Sequence, residues 1–194
     1  MPSPDLRERL GRLRSAIVAG PDHLSAFRMM PYAIFVYGPR EEFDLRLELR
    51  TVFANLRREG LDPIHLSLAE IAYEAVARAQ AEDGGWAGIY AGERRRKSWK
   101  SAVQTVQHVL SDAVQLSSMV IERLAKADPR RTVAFLGRVG ALVPAYRPGA
   151  LLARLAGSLP TQMVLLYPGR RAPDGSLVLL DDLPSDASTY ARIF

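Results

Sequence analysis

Residues 161–169 read TQMVLLYPG, and this stretch decides the fold. Met163, Val164, Leu165 and Leu166 form an apolar run without alternation, and Tyr167-Pro168-Gly169 follow at once. A short unbroken apolar run bounded by turn residues predicts a strand buried on both faces, as in the middle of an α/β sheet. Pro168 has no N–H for a ladder, so the strand is expected to stop there. Ligands and partners of α/β proteins gather beyond the C-terminal ends of such strands. The bend at Tyr167–Gly169 is therefore the first candidate functional region.

Similar signals flank it. Tyr32–Tyr37 and Thr132–Leu136 are apolar runs closed by Gly38-Pro39 and Gly137, and Pro63–Ser67 is a shorter candidate strand. Ser176–Leu180 reads as an edge strand beside residues 161–167, introduced by Asp174-Gly175. Leu6, Leu10, Leu13 and Ile17 recur at helical spacing over residues 4–19, and Leu45, Leu49, Val52, Phe53 and Leu56 do so over residues 41–58. Ser67 and Glu70 make a Ser-x-x-Glu capping pattern opening a helix through about residue 81. Residues 86–95, with Trp86 and Tyr90, read as a loop. Residues 96–127 are helical in pattern, with a break expected near Ser117-Ser118. A short helix follows at about 148–156. Strands alternating with helices predict one α/β domain over residues 1–194: three layers, a mostly parallel sheet with helices on both faces, and residues 1–20 packed on it as a helix. That is a Rossmann-like or degenerate P-loop-like arrangement.

The chain of 194 residues suits one domain, and 48% apolar and 24% charged content are ordinary for a globular protein. No apolar run approaches a membrane span, and the amphipathic N-terminus has no signal-peptide core, so no membrane association is expected. Zero cysteines exclude disulfides, thiolate nucleophiles and Cys-ligated zinc, and fit the cytoplasm. The net charge is +5, and 23 of the 26 basic residues are Arg. Such an Arg bias is what a GC-rich genome produces, and the scatter of the charge argues against generic DNA binding as its cause.

The candidate chemistry is sparse. The turn Gly38-Pro39-Arg40-Glu41-Glu42 after the first strand occupies the place of a phosphate loop. It has one glycine, a proline and no lysine, so it lacks a Walker A motif. Glu41, Glu42 and Asp44 favour the positive end of the following helix themselves and would repel a triphosphate. No carboxylate follows Thr132–Leu136 to hold magnesium. His23, His65 and His108 show no metal-ligand spacing, so neither metal nor cofactor is expected. His65 reads as a strand-end cap. Ser176 has no Gly-x-Ser-x-Gly elbow, and Asp181-Asp182 read as a solvated turn. Arg94, Arg95, Arg96 and Lys97, with Trp99 and Lys100, form the densest positive run and suit phosphate contact with aromatic stacking. Placed at a helix start, that charge opposes the helix dipole.

The order of residues in the last third carries a resemblance: FLGRVGALVPAYR (135–147), Leu151, Leu152 and Leu155, VLLYPG (164–169), GSLVL (175–179) and YARIF (190–194). This is similar to the BrxB family of bacterial BREX phage-defence systems, over about residues 132–194 and more weakly over 32–39. The resemblance implies a small cytoplasmic, non-enzymatic component of a multi-protein system, beside a PglZ-type protein, a methyltransferase and a large ATPase. It implies an adaptor docking on the PglZ-type partner, with DNA contact within the complex left open. The surface expected to carry the docking is Gly137, Arg138, Gly140, Arg147, Tyr167, Gly169 and Arg170. Glycines allow close approach, and Arg and Tyr are enriched in interface anchors. Two other readings stay open: a nucleic-acid-binding subunit using Arg94–Lys100, and a nucleotide-binding or hydrolysing protein.

Overall fold

The computed structural model describes residues 4–24, 32–78, 85–96, 99–111, 115–155, 157–158, 161–180, 183–185 and 191–194. The strands are β1 (Tyr32–Tyr37), β2 (Asp62–Ser67), β3 (Thr132–Gly137), β4 (Gln162–Arg171), β5 (Leu177–Leu179), β6 (Leu183–Ser185) and β7 (Arg192–Ile193). The α-helices are α1 (Pro4–Ala19), α2 (Pro21–Leu24), α3 (Glu42–Arg58), α4 (Leu68–Arg78), α5 (Gly85–Arg96), α6 (Trp99–Ser111), α7 (Gln115–Leu124) and α8 (Pro148–Leu155).

Five strands form a parallel sheet in the order β2-β3-β4-β1-β7. This differs from the Rossmann strand order while keeping its parallel direction and layers. β1, β3 and β4 are buried along both faces, as their unbroken apolar runs require. Alternation divides their side chains between two cores. Ala33, Phe35, Tyr37, Val133, Phe135, Val164 and Leu166 face the helices α1 and α3. Ile34, Val36, Ala134, Leu136, Met163, Leu165 and Tyr167 face α4, α7 and α8. Each large side chain so buried is worth about 1.5–3 kcal/mol. The three-layer α/β reading is thus the observed architecture, with α1 packed on the α3 face through Leu6, Leu10, Leu13 and Ile17.

Three expectations about the elements change. β4 does not stop at Pro168. Pro168 is the last residue of β4 in parallel register, opposite Tyr37 at the end of β1, so its missing N–H falls where that ladder ends. Its carbonyl accepts the N–H of Leu180 at 2.9 Å, and Gly169–Arg171 continue as an antiparallel arm against β5. Gly169 is required there: a Cβ would lie 2.0 Å from the Val178 carbonyl oxygen. Residues 86–95 are helical as part of α5, not a loop; they pack on α6 and α4 without an apolar stripe of their own. The long helical pattern after residue 96 divides into α6 and α7, so the division precedes Ser117, which is buried inside α7. The aromatic tail supplies β7, which pairs with the free side of β1. No helix among the described residues is long and apolar enough to cross a membrane.

Candidate functional site

The C-terminal edge of the sheet is built by the turns after β1, β2, β3 and β4. The turn after β1 closes on itself. The Gly38 N–H donates to Glu41 Oε2 at 2.9 Å, and the Glu41 N–H donates to the Gly38 carbonyl at 2.8 Å. Pro39, between them, has no N–H. Arg9 of α1 clamps the outside: it donates to the Val36 carbonyl, lies 3.4 Å from Glu41 Oε2 and stacks over the Phe35 ring at 5.4 Å.

Glu42, at the start of α3, is held as firmly. Arg46 reaches its Oε1 with Nε at 2.9 Å and Nη2 at 2.8 Å, one helical turn on. The Tyr37 hydroxyl donates to Oε2. Burial, this hydrogen bond and the Glu42 charge push the Tyr37 phenol far above its ordinary 10.0. Tyr37 therefore acts only as a donor here.

The turn after β3 is finished differently. Arg138 has φ 62, in the left-handed region, and its side chain is exposed. Its carbonyl accepts the Ala141 N–H at 3.1 Å, but among the described residues its side chain makes no hydrogen bond or ion pair. A 3-10 turn, Val139–Leu142, follows and anchors itself through buried Val139 and Leu142. Gly137 lies under the His65 ring of β2: a Cβ there would come within 2.5 Å of His65 Nε2. Partial burial lowers the His65 imidazole from 6.5; Glu70 and Glu42 act against this, and Arg46 and Arg138 with it. Ser67 Oγ accepts the Glu70 N–H at 3.3 Å, the expected cap of α4.

Two adjoining cavities open at this edge. One, of about 310 Å³, is lined by His65, Ser67, Glu70, Gly137 and Leu166. The other, of about 290 Å³, is lined by Pro39, Gly140, Ala141, Pro168 and Leu180. Tyr37, Glu42, Arg46 and Arg138 line both. Among the described residues no group of three or more His, Asp or Glu could hold a metal ion.

Of the residues expected to form a docking surface, Gly137, Arg138 and Gly140 do meet here. Tyr167 does not: it is fully buried in the core and cannot anchor a partner. Gly169 is buried under the hairpin. Arg147 and Arg170 are exposed but line neither cavity. Tyr37, Glu42, Arg46 and His65 were not expected; only their place at strand ends and in the first turns of the next helix pointed to them. Ser176 is a turn residue, its hydroxyl donating to Asp174 at 2.7 Å. Asp181 and Asp182 lie outside the described residues.

The basic run is placed otherwise than expected. Arg94, Arg95 and Arg96 end α5, where cations favour the helix dipole, rather than opening a helix. Trp99, 61% exposed, and Lys100 begin α6. Lys97 lies outside the described residues.

No curated protein and no solved structure is a significant match to the chain. A family model described as BREX protein BrxB matches residues 64–194, from within β2 through β7 and including the turn after β3. The match begins well before the strands that carried the resemblance and takes in α4 to α7, and on it the chain belongs to the BrxB family of BREX phage-defence components.

Proposed function

We propose that this BREX component is a non-catalytic, cytoplasmic assembly subunit that docks on a PglZ-type partner through the C-terminal edge of its sheet. The observation that carries the reading is the filled turn after β1. Glu41 takes the Gly38 N–H that a phosphate would need, and Pro39 offers none. Glu42 adds a second carboxylate at the same helix start, already paired with Arg46. A multiply charged phosphate would meet negative charge without a cradle of donors. Arg138 stands exposed on the same edge, and interfaces are anchored by such residues when a partner buries them.

Mixing the purified chain with a PglZ-type protein from the same genome, followed by gel filtration, tests the reading. A co-eluting complex is expected, and separate peaks at micromolar concentration count against it. Magnesium-ATP is expected to leave the melting temperature unchanged. A saturable rise with ATP concentration, as ligand linkage requires for a bound nucleotide, would favour a nucleotide-handling protein instead.

A further inference from the structure

We infer that the 290 Å³ notch receives an aliphatic side chain from a partner protein, with a neighbouring carboxylate of that partner on Arg138. This rests on the docking reading and adds the chemistry of the occupant. Three independent features converge on the notch. Its walls include Pro39, Ala141, Pro168 and Leu180, all apolar, and it is shallow and open. Its volume lies just below the about 300–1,000 Å³ typical of enclosed ligand sites, enough for one side chain rather than a cofactor.

The charge is uneven. Glu42 in the wall is matched by Arg46 and by the Tyr37 hydroxyl. Arg138 is left as the surplus cation at the mouth. A lone carboxylate beside an aliphatic group complements this arrangement. A phosphate does not, because it would face both the apolar walls and Glu42.

The third feature is backbone strain. Among the described residues only two non-glycine residues have positive φ, Arg138 at 62° and Leu180 at 49°, and both line this notch. Left-handed conformations of such residues are costly and persist where the surroundings enforce them. The Leu180 N–H is pinned to the Pro168 carbonyl at 2.9 Å. Its side chain packs over Gly140, where a Cβ would lie 3.6 Å from its methyls, and it is still 42% exposed. A branched side chain held half-exposed at such a backbone angle offers a preformed apolar contact.

The test measures binding of the purified chain, by calorimetry, to each purified BREX protein of the same genome, the PglZ-type protein among them. Arg138→Glu reverses the charge, and Ala141→Trp fills the notch from an exposed position. Arg130→Glu, an equal charge change just before β3 at the opposite edge of the sheet, is the control. Melting curves establish that each variant is folded; should Arg138→Glu melt early, Arg138→Gly, which suits a φ of 62°, replaces it. Both notch variants are expected to weaken one partner by about thirtyfold or more, the effect of a hot-spot residue, with Arg130→Glu unchanged. Salt is expected to weaken the wild-type complex more than the Arg138 variant's. If the PglZ-type protein binds all variants alike, the notch inference falls and the docking reading stands. If a different BREX protein is the one lost, the notch inference holds and the PglZ assignment falls. If none binds the wild type, both fall.

Discussion

The turns after β1 and β3 end on the same edge of the sheet, one strand apart, and they are finished in opposite ways. After β1 both carboxylates of the turn have partners inside the chain: Glu41 with Gly38 and Arg9, and Glu42 with Arg46 and Tyr37. After β3 the backbone is strained at Arg138, whose side chain is exposed and makes no hydrogen bond or ion pair among the described residues. The first turn is arranged for stability. The second carries strain and an exposed cation in the lining of the notch, which are features kept for contact with something else. The place where α/β proteins hold ligands is thus divided between a closed half and an open half.

Removing Glu42 should break the closed half most severely. Glu42→Ala leaves the Tyr37 hydroxyl and the Arg46 guanidinium without their acceptor, and urea titration should show a loss of about 2 kcal/mol. Glu41→Ala removes only a cap and a long ion pair, so the loss should be about 1 kcal/mol. In the open half the sign changes. Arg138→Gly relieves a left-handed arginine and should leave stability unchanged or raise it by up to about 1 kcal/mol. A loss of 2 kcal/mol on this change would make Arg138 a structural residue and erase the contrast.

The smallest effect is on pH dependence. His65 is held below its ordinary 6.5 in the folded chain, so the unfolded chain binds its proton first as pH falls. Its contribution is present above pH 6.5 and is lost below it as the folded value is approached. His65→Gln should flatten the stability profile below pH 6.5. An unchanged slope would mean that other groups set it.

Much of the fold is legible in the sequence because burial on both faces imposes unbroken apolar runs. Tyr32–Tyr37 and Thr132–Gly137 could be placed to the residue or nearly so, and α1 and α3 show their stripes plainly. Residues 85–96 hide their helix because Gly85, Gly88 and Gly92 and an arginine-rich end give no apolar face; packing on α6 decides it. β7 is two residues long, too short for any period, and exists because β1 has an open side. Pro168 misleads because a missing N–H stops a strand only where a ladder bond is due.

The site was half legible. The glycines and Arg138 after β3 stand together in the sequence. His65, Glu42 and Arg46 come from other elements, and only parallel register brings them to the same edge, with Ser67 opposite Gly137 and Tyr37 opposite Pro168. Tyr167 directly precedes Pro168 in sequence, but alternation along β4 turns it into the core.

The most direct test sets the two halves against each other in one quantity, the ratio of affinities of Glu41→Ala and Arg138→Gly for the PglZ-type partner. The account predicts that the glycine variant binds about thirtyfold more weakly or worse, while the Glu41 variant stays within about threefold of wild type. Equal affinities, or a greater loss at Glu41, would contradict it.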